Sequence, residues 1–233
     1  MAYNNYGNSI QRNTPIVTNL LIINVLVFAA QNMITQFNIT EWGALHYYKS
    51  SLFKPHQLLT HMFMHADFGH ILFNMFGLWM FGTILERFWG PKKFLLFYLI
   101  CGVGAGIFQQ FLIPYDAAQT AKMIPEYTAD PSLLPAIIEA VKEQSYSLGA
   151  SGAIMGVLAA FAYLFPNTEL YVMFIPIPLK AKYVIPVFVL IDLFGGIYRI
   201  QGDNIGHFAH LGGAIIGFLL VFYWNKTNKK TLY

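Results

Sequence analysis

The sequence predicts an all-α membrane protein, a bundle of six transmembrane helices. Three observations carry that prediction. Of the 233 residues, 56% are hydrophobic and only 11% are charged, where a soluble domain carries about 25% charged residues. Mean hydropathy is +0.50. The apolar residues also fall into runs near the length that crosses the hydrocarbon core, about 20 residues at 1.5 Å each.

The first span is expected from about Ile16 to Met33, opened by Thr14 as a cap and Pro15 at the first helical position. The second is expected from Phe68 to Leu85, the third from Phe94 to Ile113 and the fourth from Leu148 to Phe165. The fifth runs from Tyr183 to Ile197 and the sixth from Ile205 to Tyr223. The fourth and fifth are short, which favours burial within the bundle or little tilt. The expected division is a tail over 1–13, one membrane domain over 14–224 and a second tail over 225–233. The first apolar run is long enough to span, and no small-residue cleavage site follows it, so it is expected to be retained.

Loop charge sets the orientation. With the N-terminus inside, nine of the fourteen Lys and Arg residues face inward, among them Arg12, Arg87, Lys92, Lys93, Lys229 and Lys230. Lys49, Lys54, Lys122, Lys142 and Arg199 face outward. Both termini are therefore expected to be cytoplasmic. A compact six-span chain with short tails suggests a bacterial plasma membrane. The outside loop over 34–67 is rich in aromatics, including Trp42, Tyr47 and Tyr48, and suits the headgroup level. The outside loop over 114–147 is long, and Asp130-Pro131 opens a short amphipathic helix running to Glu143.

A net charge of +3 gives no reason to expect nucleic acid. The single cysteine, Cys101, lies in an apolar run and reads as a packing residue.

Polar groups inside lipid are costly and usually functional. Ser151 lies in Leu148-Gly149-Ala150-Ser151-Gly152, at the outer end of the fourth span. The free N–H groups of a helix start are suited to a developing oxyanion, and Gly149 and Gly152 leave room for a substrate backbone. Close helix packing through Gly152 and Gly156 explains the same small residues. His210 lies near the outer end of the sixth span, with His207 one turn nearer the surface as a competing base. A helix-pairing histidine on a smooth face made by Gly206, Gly213 and Gly217 is the alternative. His70 and Asn74 share a helix face four residues apart. They serve either as oxyanion donors or as pins between helices. His61 and His65 are also four apart, but no Glu follows His61, which argues against a metal site.

Taken together, the chain resembles the rhomboid intramembrane serine proteases. The resemblance rests on His65-Ala-Asp-Phe-Gly-His70-Ile-Leu-Phe-Asn74, on Gly149-Ala150-Ser151-Gly152 and on Ala209-His210-Leu211-Gly212-Gly213, in order on spans two, four and six. Glu86-Arg87 also looks like the family. The resemblance implies Ser151 as nucleophile and His210 as general base, with His70, Asn74 and the Ser151 N–H around the oxyanion. It implies no metal, nucleotide or other cofactor, and transmembrane proteins in the bilayer as substrates. A non-catalytic relative that binds membrane-protein clients is the alternative.

Three features depart from the family, one being the loop over 114–147, longer than in compact members. Pro55-His56-Gln57-Leu58-Leu59 stands where many members carry Trp-Arg, which questions how the first loop is anchored. Met155 stands where an aromatic often backs the histidine. Asp192 lies at a depth that matches His210. A dyad gives it a structural or helix-pairing role, and a triad would give it an orienting one.

Overall fold

A computed structural model describes residues 14–125, 129–171, 177–198 and 205–227. Arg12, Arg199, Lys229 and Lys230, the tail over 1–13 and the end of the second tail lie outside the described residues. The architecture is a membrane bundle of helices with two small two-stranded antiparallel sheets.

The first helix, α1 (Pro15–Met33), begins at the expected proline. Its cap differs from the expectation. The Thr14 side chain does not cap it. The N–H groups of Ile16 and Val17 instead donate to the two oxygens of Glu86, at 2.9 and 2.8 Å. A buried carboxylate satisfies two orphan donors and complements the positive helix end, which a hydroxyl cannot match. Glu86 therefore ties the first span to the second.

The first long loop folds into α2 (Ile39–Gly43), β1 (Leu45–His46) and α3 (Gln57–Thr60), then a 3-10 turn over His61–Phe63. Aromatics such as Trp42 and Tyr48 are exposed, but Ala44, Leu45 and Met62 are fully buried. The loop is thus packed onto the bundle, with an aromatic rim. Gln57 anchors it from within the stretch that lacks Trp-Arg. Its amide oxygen accepts from Lys54 N at 3.0 Å, its amide nitrogen donates to Leu52 O at 3.1 Å, and its carbonyl meets His61 Nδ1 at 2.8 Å.

The second span is α4 (Phe68–Trp89), with a widened π turn over Leu78–Gly82. Asp67 caps it by accepting from His70 N at 2.8 Å. Gly90 follows at φ +81°, and α5 (Pro91–Ala121) begins on a proline. α5 runs through Pro114, past the end expected at Ile113. The added turns bury Ala117 and Ala121 and lie against α6 (Leu134–Gln144), the amphipathic helix expected after Asp130. Asp130 opens that segment by accepting from Ser132 N at 3.0 Å. β2 (Tyr146–Ser147) pairs antiparallel with β1, and Glu143 accepts from Ser51 N and Oγ. The two long loops are clasped together.

The fourth span is α7 (Ser151–Leu164), followed by the pair β3 (Glu169–Leu170) and β4 (Leu179–Lys180), then α8 (Ala181–Ile197) and α9 (His207–Thr227). Among the described residues, four helices, α1, α4, α5 and α9, are long and apolar enough to cross a membrane. With 14 and 17 residues, α7 and α8 reach only about 21 and 26 Å, short of the roughly 30 Å core. α7 compensates by burial: Gly152 through Val157 are all buried within the bundle. Small residues bring its neighbours close. A Cβ on Gly213 would overlap the Gly152 carbonyl, and one on Gly217 would come within 2.5 Å of Gly156 Cα. Cys101 fills the space beside Gly156, where a Cβ would meet its Sγ at 2.6 Å, so it is the packing residue expected.

Candidate active site

Ser151 is the first residue of α7. The chain turns into the helix at Gly149, whose φ of +122° strains any residue with a side chain. The Gly149 N–H donates to His61 O at 2.8 Å, so the packed first loop fixes the turn. Burial holds the rings of His61 and His65 neutral, with the pKa of each lowered to about 4.

Gly149 is needed for a second reason. A Cβ there would lie 2.8 Å from His70 Nε2 and 3.5 Å from Ser151 Oγ. The imidazole and the hydroxyl therefore border the same small space. Ala66 N–H approaches His70 Nδ1 at 3.4 Å, which makes that nitrogen the acceptor and leaves the proton on Nε2, facing the serine. Asn74, one turn further along α4, is buried, and its Nδ2 has no hydrogen-bond partner among the described residues. It lies one turn before Gly77, whose Cβ position is 3.3 Å from Ile154 of α7. The face of α4 that carries His70 and Asn74 thus meets the first turns of α7.

His210 reaches the site on α9. Ala209 and Gly213, on either side of it, lie against Gly152: the Ala209 carbonyl is 3.5 Å from the Gly152 Cβ position. Ser151 and His210 share no hydrogen bond in the structure; contacts of this kind are often long without substrate and tighten around it. The imidazole is held from the other side, with Nδ1 3.0 Å from Asp192 Oδ1. His207 Nδ1 lies 2.8 Å from the same oxygen, its ring against Gly195, where a Cβ would meet it at 2.5 Å. His207 is therefore a second partner of Asp192. Met155 is buried with Ala159 and Ala214, on the turn of α9 that follows His210.

The sequence signal for Asp192 was its depth alone; its convergence with two histidines of another helix needed the fold. Gly195, which accommodates His207, carried no signal in the sequence.

A Rhomboid domain is matched over residues 53–226. The chain belongs to the rhomboid family. It is 34% identical over 207 residues to RHOMBOID-like protein 12, mitochondrial, of Arabidopsis thaliana, covering 87% of this chain and 54% of that protein. It is 30% identical over 168 residues to Rhomboid protein 1, mitochondrial, of Saccharomyces cerevisiae, covering 72% and 41%. It is 31% identical over 163 residues to Rhomboid protease GluP of Bacillus subtilis, covering 70% and 24%. The chain thus spans about half the length, or less, of these relatives.

The relatives correct one expectation. The rhomboid proteins at 34% and 30% identity are mitochondrial by name, which overturns the bacterial plasma membrane and, with it, cytoplasmic termini. A compact bundle buries its polar groups in the same way in any bilayer, so compactness does not select a compartment.

Proposed function

We propose that this rhomboid protein is an intramembrane serine endopeptidase. The observation that carries the reading is the convergence of Ser151 Oγ and His70 Nε2 on the glycine turn that opens α7. Ser151 Oγ attacks the carbonyl carbon of a substrate peptide bond while its proton passes to His210 Nε2. The carbonyl oxygen takes the negative charge, facing the Ser151 N–H, His70 and the Asn74 amide, whose Nδ2 has no partner among the described residues. The C–N bond then breaks as His210 returns the proton to the leaving amine. Water, activated by the same imidazole, releases the acyl group and regenerates the serine.

The substrate is a transmembrane segment of another protein, cut near its end. Gly or Pro in that segment lowers the cost of unwinding it into the site. The compartment we infer is a mitochondrial membrane, on the names of the two relatives above.

The test is cleavage of a single-span reporter, with Ala or Ser before a Gly-containing membrane segment, by purified protein in detergent. Ser151→Ala and His210→Ala should each abolish it, and a fluorophosphonate probe should label wild type but not Ser151→Ala. An unlabelled wild type that cleaves nothing would favour a non-catalytic client-binding role.

A further inference from the structure

Asp192 is a buried carboxylate five residues from the C-terminal end of α8, in a region where an unpaired charge is expensive. Helix pairing alone needs one partner for it. The structure supplies two, His207 and His210, on a single oxygen. Both histidines present Nδ1, which leaves the Nε2 of His210 free of this contact.

We propose that Asp192 is a positioning residue for His210: it accepts the Nδ1 proton, fixes the tautomer whose Nε2 faces Ser151, and stabilises the imidazolium formed when Ser151 gives up its proton. His207, bonded to the same oxygen and seated against Gly195, holds the carboxylate in place. The inference rests on the protease reading above. Its geometry is that of a base oriented by a third group, reached here across two helices. α8 would then contribute to catalysis without touching substrate.

The test compares wild type with Asp192→Asn, Asp192→Ala and Asp192→Glu in detergent, with Ser151→Ala as the blank. Two quantities are read: kcat and KM on the reporter, and the amplitude and rate constant of fluorophosphonate labelling. Asn and Ala should lower kcat and the labelling rate constant by roughly 10²-fold, with KM and the labelled amplitude retained. Glu should recover a large part of the rate. A merely structural aspartate would instead reduce the amplitude and the unfolding temperature while the rate constant of the folded fraction stayed at the wild-type value, and that result overturns the proposal.

If the Asn and Ala variants do not fold, the wild-type tautomer decides. Nitrogen-15 spectra of histidine-labelled protein, assigned by difference with His210→Ala, should show the His210 proton on Nδ1. A proton on Nε2 overturns the proposal. Should Ser151→Ala itself cleave the reporter, the protease reading fails first, and the two failures are distinguishable.

Discussion

The seam between α7 and α9 and the attachment of α8 hold the same site by opposite means. At the seam, Gly152 meets Gly213 and Gly156 meets Gly217, with backbone on backbone. Nothing larger than a hydrogen fits, so the spacing of Ser151 and His210 is set by main-chain contact. α8 has a different character. It buries Ala181, Val184, Ile185, Asp192 and Gly196, while Tyr183, Phe188, Ile191 and Phe194 are exposed. Its fastening to α9 beside the site combines the Asp192 contacts with Gly195 and Gly196 packed against His207 and Phe208. Lipid is as apolar as a leucine side chain, so an outward apolar face contributes little to helix association, and close packing and hydrogen bonds must supply it. The comparison teaches that in this bundle the small residues fix distance and the few polar ones fix orientation. α1 follows the second rule, held at its start by Glu86.

The largest expected effect comes from breaking the seam. Gly213→Val would drive a side chain into the Gly152 carbonyl. Because a displacement of about 1 Å can cost 10²-fold, reporter cleavage should fall by at least roughly that factor, with a lower unfolding temperature. A variant that keeps both at wild-type values would show that main-chain contact does not set the spacing.

The packed loop beneath Gly149 extends the rigid side and is sensitive to acid. The His61 and His65 rings are held to about 4 by burial, against 6.5 in a free side chain. The folded protein therefore binds fewer protons than the unfolded chain below pH 6.5. Stability is complete above that value and is lost as the pH falls from 6.5 towards 4. The loss amounts to roughly 3 kcal/mol for each ring across that window. Unfolding temperatures measured from pH 7.5 to 4.5 should show this decline; a flat profile would contradict neutral, buried rings.

The smallest effect sharpens the contrast from the other side. Ile191→Ala, on the outward face of α8 and 57% exposed, should change stability by no more than about 0.5 kcal/mol. A larger loss in a detergent unfolding titration would mean that the outward face of α8 also holds the helix in place.

Much of the site was legible from spacing. His70 and Asn74 fall on one helix face, Ser151 at a helix start behind a glycine, and His210 near the start of the last span, because those positions follow from helical periodicity and span boundaries. Other parts were not legible. Thr14 and Pro15 look like a local cap, and the carboxylate that serves α1 comes instead from Glu86, 70 residues away. The Pro114 position suggests a boundary, yet α5 continues because its added turns bury Ala117 and Ala121. Gln57, in the stretch that departs from the family, proves to be the anchor of its loop.

The sequence by itself determined the class of structure, the approximate spans and the residue types available for chemistry, since hydropathy and periodicity are local properties of the chain. Only the tertiary structure decided which polar groups share a partner. Asp192, His207 and His210 lie on two helices, and their meeting on one carboxylate oxygen depends on how α8 lies against α9. That arrangement follows from close packing and from the need to satisfy a buried charge, which act between segments far apart in sequence.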